Sequence, residues 1–264
     1  MTTLTYDDLR HVTYSHSDYV DILQIHADYI SHKKNKTLII DTDSIPQNIK
    51  DVYDQIIYYD DSLPYASRIL HCLNSIEEDF VLLMHDNDIL LRSDGDKMEQ
   101  ILHLCMKHNM DRLDLQNTCF RNKTNDIIVN NECQLVGQVA FRNHPVMGDN
   151  YVYNVNPSIW NKQSLSMVME QFNHLGYREI EGPEVQQFCG GLKIYKISTS
   201  NFSSCGHFDC ADFFTFFHIT HGGELVPFDG THKNKYGRPY ENVASQYQQI
   251  IKKYKLFNSK RWSS

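Results

Sequence analysis

The chain has 264 residues, 41% of them hydrophobic and 22% charged, with a formal net charge of −8. That length fits one large domain, or one domain with a small extension, and buries a core without staples. The acidic balance argues against a bulk nucleic-acid binder, which presents a basic face, and seven cysteines without a Cys-x-x-Cys pair argue against a disulfide framework.

The first residues, MTTLTYDDLRHV, carry neither a basic start nor an apolar signal-type run. No stretch approaches the ~20 apolar residues that span a bilayer. Reduced thiols and the absence of a leader point to a soluble protein of the cytoplasm. The sequons at Asn35, Asn122 and Asn201 are read as chance.

HVTYSH (11–16) reads as a strand. A helix follows with Ser17 as its N-cap and Ile22, Ile25, His26 and Tyr29 on one face. TLIIDTD (37–43) and QIIYYDD (55–61) read as two further strands. Pro64 then stands where a helix starts, with Ile69, Cys72, Leu73 and Ile76 as its buried stripe. FVLLMHDND (80–88) is the fourth strand, and Met98, Ile101, Leu102 and Cys105 mark the next helix. This order predicts an α/β sheet with largely parallel strands over the first ~125 residues.

The second half is mixed. DIIVNNECQLVGQVAFR (126–142) suggests a hairpin, and 151–165 leads into a helix bearing Leu165, Val168, Met169 and Phe172, ended by Gly176. GGLKIYKIS and ADFFTFFHITHGGELVPF read as strands, and a last helix runs from about Tyr240 to Leu256. No linker separates the halves, so 1–264 reads as one unit.

Ligands of parallel α/β sheets sit at the carboxyl ends of the strands. Here those ends are Ser15-His16, Asp41-Thr42-Asp43, Asp60-Asp61 and Asp86-Asn87-Asp88. Buried carboxylates need a partner. In an extended segment Asp86 and Asp88 point the same way, making a hard oxygen site suited to Mg²⁺ or Mn²⁺. Such a cation neutralises charge on a departing phosphate.

The order of strand ends, a helix bearing Arg68, an apolar strand closing in D-N-D, and the later NPSIWNKQSL (156–165) resembles GT-A glycosyltransferases. The resemblance extends to the small enzymes of this type encoded by large algal DNA viruses. It implies a Rossmann-like nucleotide-sugar half (about 1–125) merged with a mixed α+β acceptor half (about 126–264). It further implies a metal-dependent transfer of a sugar from a nucleoside-diphosphate sugar, a UDP-sugar by preference, to a hydroxyl of a glycan or glycoconjugate.

Asp88 would then bind the metal, with Asp86 on the metal or the ribose. Thr13, Ser15, His16 and Asn87 would lie beside the nucleotide, Asp41 near the base or ribose, and Arg68 at the diphosphate, where a guanidinium suits phosphate geometry. A late histidine would complete the metal set. His221, before Gly222-Gly223, is favoured over His218. An inverting reaction needs a general base: Glu181 is the first choice, with Glu179, Glu184, Asp209 and Asp212 open. Where the branch carries Trp-Glu-x-Glu, this chain has YREIEGPE (177–184). Trp160 is read as a core aromatic ahead of a sugar contact. Cys205, His207, Asp209, Cys210 and Asp212 crowd together but fit no common closed zinc site.

Three rivals remain. A sugar nucleotidyltransferase usually opens with a glycine-rich phosphate loop, which HVTYSHSDYV lacks. A metal-dependent phosphoester hydrolase needs no acceptor. A non-enzymatic glycan binder ignores nucleotide and metal. The sugar, the acceptor, the stereochemistry and the oligomeric state are not encoded in any motif.

Overall fold

The computed structural model describes residues 9–115, 127–128, 133–137, 152–199, 203–205, 208–210, 214–221, 224–225 and 241–256. The first half runs β1 (Arg10–Tyr14), α1 (Val20–Ile30), β2 (Lys36–Ile40), α2 (Gln47–Lys50), β3 (Gln55–Tyr58), α3 (Tyr65–Leu73), β4 (Phe80–His85), β5 (Asp88–Ser93), α4 (Gly95–Lys107) and β6 (Arg112–Asp114). The rest is β7 (Ile127–Ile128), β8 (Cys133–Gly137), β9 (Ser158–Asn161), α5 (Lys162–Gln171), α6 (Pro183–Cys189), β10 (Ile194–Thr199), β11 (Ser203–Cys205), β12 (Phe208–Cys210), β13 (Phe214–His218), β14 (Thr220–His221), β15 (Glu224–Leu225) and α7 (Glu241–Lys253).

Nine strands form the main sheet, in the order β3-β2-β1-β4-β9-β6-β10-β8-β7. β1 pairs in parallel with β2 and β4, and β2 with β3. β9 is antiparallel to both β4 and β6, so β6 runs the same way as β4. The carboxyl ends of β1 to β4 and of β6 therefore share one edge, and the α/β expectation holds.

The apolar runs follow from having helices on both faces. In β4, Leu82 and Met84 join α1 and α4 through Leu23, Ala27, Met98, Ile101 and Cys105. Its alternate residues, Val81 and Leu83, face α3 and α5 through Ile69, Cys72, Leu165 and Val168. A third cluster packs Ile22 and Ile25 of α1 on Ile89, Phe217, Tyr247, Ile250 and Ile251.

Local details differ from the sequence reading. Ser17 does not cap α1. His16 caps a 3-10 turn, Ser17–Tyr19, by accepting from the Asp18 N–H, and the α-helix starts at Val20. The fourth strand stops at His85. Asp86 and Asn87 form a turn, and Asp88 begins β5 in a second, antiparallel sheet, β11-β12-β13-β5. α5 ends at Gln171, short of Gly176. Ser158–Asn161, read as an acceptor segment, is a buried central strand, with Trp160 1% exposed.

Cys72, Cys105 and Cys189 are buried free thiols. Among the described residues no helix is long and apolar enough to cross a membrane.

Candidate active site

The D-N-D turn is the point where the chain leaves the main sheet for the second one. Asp86 and Asp88 thus lie on opposite sides of a turn rather than on one face of a strand. Both are buried, at 7% and 1% exposure. Asp86 accepts from the Ser15 hydroxyl at 2.6 Å, and its N–H donates to the Tyr14 carbonyl at 3.0 Å. Asp88 Oδ2 accepts from the His85 N–H at 2.7 Å, and Oδ1 lies 2.8 Å from His218 Nε2. β13 brings His218 there because it pairs with β5 in the register His218–Asp88.

Asn87 ties the turn down. Its carbonyl accepts from the Ile219 N–H at 3.0 Å, and its amide donates to the Thr220 carbonyl at 3.3 Å. Its side chain is a tether between the two sheets, where the sequence suggested a nucleotide contact.

His26 and Thr13 hold Asp88 from below. His26 Nδ1 donates to the Asp88 carbonyl at 2.8 Å. A carbonyl only accepts, so the ring carries its proton on Nδ1 and Nε2 receives the Thr13 hydroxyl at 3.0 Å. Burial pushes His26 down to about 4 and keeps it neutral. Thr13, expected beside the nucleotide, is 2% exposed and faces this histidine in the core. A mid-helix histidine on an apolar face gives no hint of that contact in sequence.

Burial by itself would raise the Asp88 carboxyl. His218, by charge and hydrogen bond, together with His85, outweighs it and holds the carboxyl below the usual carboxylate range. His85 is lowered, by burial first, with His218 pushing the same way. Its Nε2 lies 3.0 Å from the Tyr65 hydroxyl, and its ring also hydrogen-bonds the Val155 backbone.

Val155 connects this cluster to Glu181, whose Oε1 accepts the Val155 N–H at 2.8 Å. Tyr177 packs on His85, with ring centroids 5.4 Å apart. Its phenol is raised by burial first and then by the carboxylates of Asp88, Glu181 and Asp86. Glu181 therefore belongs to the same region as the D-N-D acids, held by one oxygen.

The polar group at the ends of β1, β2 and β3 is built separately. Asp41 accepts both the Ser17 N–H and hydroxyl at 2.6 Å. His16 Nε2 lies 3.5 Å from Asp41 and 3.4 Å from Asp61. His16, Asp41 and Asp61 are the one group of three possible metal ligands lying within 4.8 Å of one another among the described residues. Asp86 does not close with Asp88 and His218 into such a triple.

Arg68 is folded back on the loop before α3. Its Nε donates to the Leu63 carbonyl at 2.7 Å, and Nη1 to the Tyr14 hydroxyl at 2.9 Å. Nη2 lies 2.8 Å from the Asp61 carboxylate, and the guanidinium stacks over Tyr59 at 4.7 Å. In this arrangement it serves the fold, and a phosphate would have to replace Asp61.

The side chains of Asp209 and His221 lie outside the described residues, as do His207, Asp212 and the cysteine pair of the zinc question. Sequence reasoning also missed Arg112. It is fully buried and donates to the Val152 carbonyl at 2.8 Å and to Asn154 Oδ1 at 2.6 Å. Asp114 lies 3.2 Å from Lys196 and 3.7 Å from Arg112.

No protein family and no curated protein matches the chain by sequence. Solved structures resemble it distantly. A cytidylyltransferase from Leptospira borgpetersenii aligns over 97% of this chain and 99% of its own, at 10% identity and a TM-score of 0.49. Residues 1–349 of S. aureus TarS in complex with UDP align over 73% of this chain and 59% of that one, at 9% identity and TM-score 0.44. A UDP-glucose pyrophosphorylase complexed with UDP-glucose aligns over 73% and 91%, at 8% and 0.42. Likenesses at this level assign no chemistry, which has to come from the residues.

Proposed function

We propose that the chain is a metal-dependent glycosyltransferase that uses a nucleoside-diphosphate sugar, a UDP-sugar by preference, and a hydroxyl acceptor. The observation that carries this reading is the buried Asp88–His218 contact of 2.8 Å at the carboxyl edge of a parallel sheet. The donor set fits a divalent cation: an ionised carboxylate and an imidazole suit Mn²⁺, with Mg²⁺ also admissible. Bound between Asp88 and His218, the metal would neutralise the charge of the departing diphosphate. Asp86, held by Ser15, would bind the metal or the ribose. Asp41 and His16 would line the nucleotide. Arg68 would add a guanidinium to the diphosphate on release from Asp61.

At the other end, Glu181 would accept the acceptor's proton as its oxygen bonds to the anomeric carbon and the carbon–phosphate-oxygen bond breaks. The turn after β1 (Ser15 to Tyr19) contains no glycine, lysine or arginine, which sets glycosyl transfer ahead of nucleotidyl transfer.

Thermal unfolding with UDP, GDP and CDP, each with and without Mn²⁺, tests the reading. A nucleotide at a hundredfold excess over its Kd stabilises by about 2.7 kcal/mol, roughly 5–10 °C for a chain of this size. The shift is expected only with metal present and is lost in Asp88→Asn. A metal-independent shift, or none, contradicts it. Phosphoester turnover without an acceptor would favour the hydrolase, and sugar binding indifferent to both nucleotide and metal the glycan binder.

A further inference from the structure

We infer that the ring of Tyr177 is the platform of a sugar subsite, on which a pyranose lies against the aromatic face. The inference rests on the glycosyl-transfer reading of the neighbouring carboxylates. Tyr177 is 44% exposed, one of four large apolar side chains so open among the described residues, and the one packed on the site's own aromatic cluster. Its ring stands nearly perpendicular to His85 (centroids 5.4 Å apart, 75°) and to Tyr65 (5.3 Å, 81°). Those two rings are themselves joined by the 3.0 Å contact between the Tyr65 hydroxyl and His85 Nε2. The platform is therefore fixed before any ligand arrives, and little side-chain freedom is lost on binding.

His85, which the ring packs on, donates its N–H to Asp88 at 2.7 Å, and Glu181 lies four residues further along the segment that carries the ring. A sugar ring has an apolar face of C–H bonds and a rim of hydroxyls. An exposed aromatic face in a region rich in polar groups complements both.

The segment that carries the ring is also built rather than draped. The Gly176 N–H donates to Glu179 Oε2 at 2.7 Å. The Gly176 carbonyl accepts from the Glu179 and Ile180 N–H groups at 3.2 and 3.1 Å, and Ile180 is fully buried. At Gly182 a Cβ would come within 2.8 Å of the Glu179 carbonyl oxygen, so the close turn after the ring requires glycine. Trp160, the other aromatic considered for sugar contact, is closed off in the core.

Saturation-transfer NMR tests the platform. The probes are UDP-glucose, UDP-galactose and UDP-N-acetylglucosamine, and methyl glucoside and methyl galactoside added with UDP. Mg²⁺ replaces Mn²⁺ to avoid paramagnetic broadening. The chain is compared with Tyr177→Phe, Tyr177→Leu and Tyr177→Ala. The expected result is a fall of about fivefold or more in saturation of the sugar protons in the Leu and Ala variants, with Phe unaffected and uridine saturation equal in all. Loss confined to the sugar of the nucleotide sugars assigns the donor to the platform, and loss confined to the methyl glycosides assigns the acceptor.

Undiminished sugar saturation in the Leu variant, with a melting temperature like that of the unmodified chain, overturns the inference and leaves the nucleotide site standing. Absence of uridine saturation in the unmodified chain overturns the glycosyl-transfer reading, and the platform with it.

Discussion

Asp88 is gripped at three atoms: Oδ1 by His218, Oδ2 by the His85 N–H, and its carbonyl by His26. The third grip makes His26 a positioning residue. His26→Leu strips the buried carbonyl of its donor, a loss of about 1–3 kcal/mol, and should weaken Mn²⁺ binding by about tenfold or more. His26→Asn, whose amide nitrogen falls where Nδ1 was, should keep affinity within about threefold of the unmodified chain. Electron paramagnetic resonance of free Mn²⁺ reads both, and equal losses in the two variants would refute the role. At this scale the D-N-D acids were legible, because charge at the end of an apolar run is chemically conspicuous. His218 was legible only as one of two choices; β13 and β5 align it with Asp88, a register that the sequence does not display. Thr13 was misplaced because a short polar residue near a strand end looks alike whether it faces ligand or core.

Among the elements, β1 to β4 and their helices were readable because each is a local pattern, an apolar run or a 3.6-residue stripe, bounded by polar residues. β6 and β9 were not. They have three and four residues and owe their extension to pairing with each other and with β4, contacts remote in sequence. Trp160 shows what the β9 pairing achieves. Its indole N–H donates to Ser158 Oγ at 3.2 Å, its ring packs on Tyr153 with centroids 5.7 Å apart, and Arg112 stacks over it at 5.2 Å. Trp160→Ala should destabilise the fold by about 3–5 kcal/mol, visible as a lower urea midpoint. An unchanged midpoint would contradict its place between β4 and β6.

For the whole molecule, buried neutral histidines set a pH limit. Burial takes His11 down to about 3 and His26 to about 4, against about 6.5 in the unfolded chain. Below pH 6.5 the unfolded state binds protons that the folded state refuses. Their contribution is thus complete above 6.5 and declines as pH falls toward 4. Between pH 7.5 and 5.5 the pair should lose roughly 2–3 kcal/mol, or about 5–10 °C in melting temperature. A flat profile over that range would show that these rings are accessible to protons. At the carboxyl edge of the sheet the ends of β1, β2 and β4 meet beside the turn at Asp86 and Asn87. The account's central claim is that this turn holds a metal between Asp88 and His218. The most direct measurement is a Mn²⁺ titration followed by electron paramagnetic resonance with UDP present, on the unmodified chain, Asp88→Asn and His218→Gln. The account predicts one bound Mn²⁺ per chain, with the affinity greatly reduced in both variants while their melting curves in the absence of metal stay cooperative. Equal Mn²⁺ binding in all three proteins would contradict it and leave the D-N-D segment as a structural corner between two sheets.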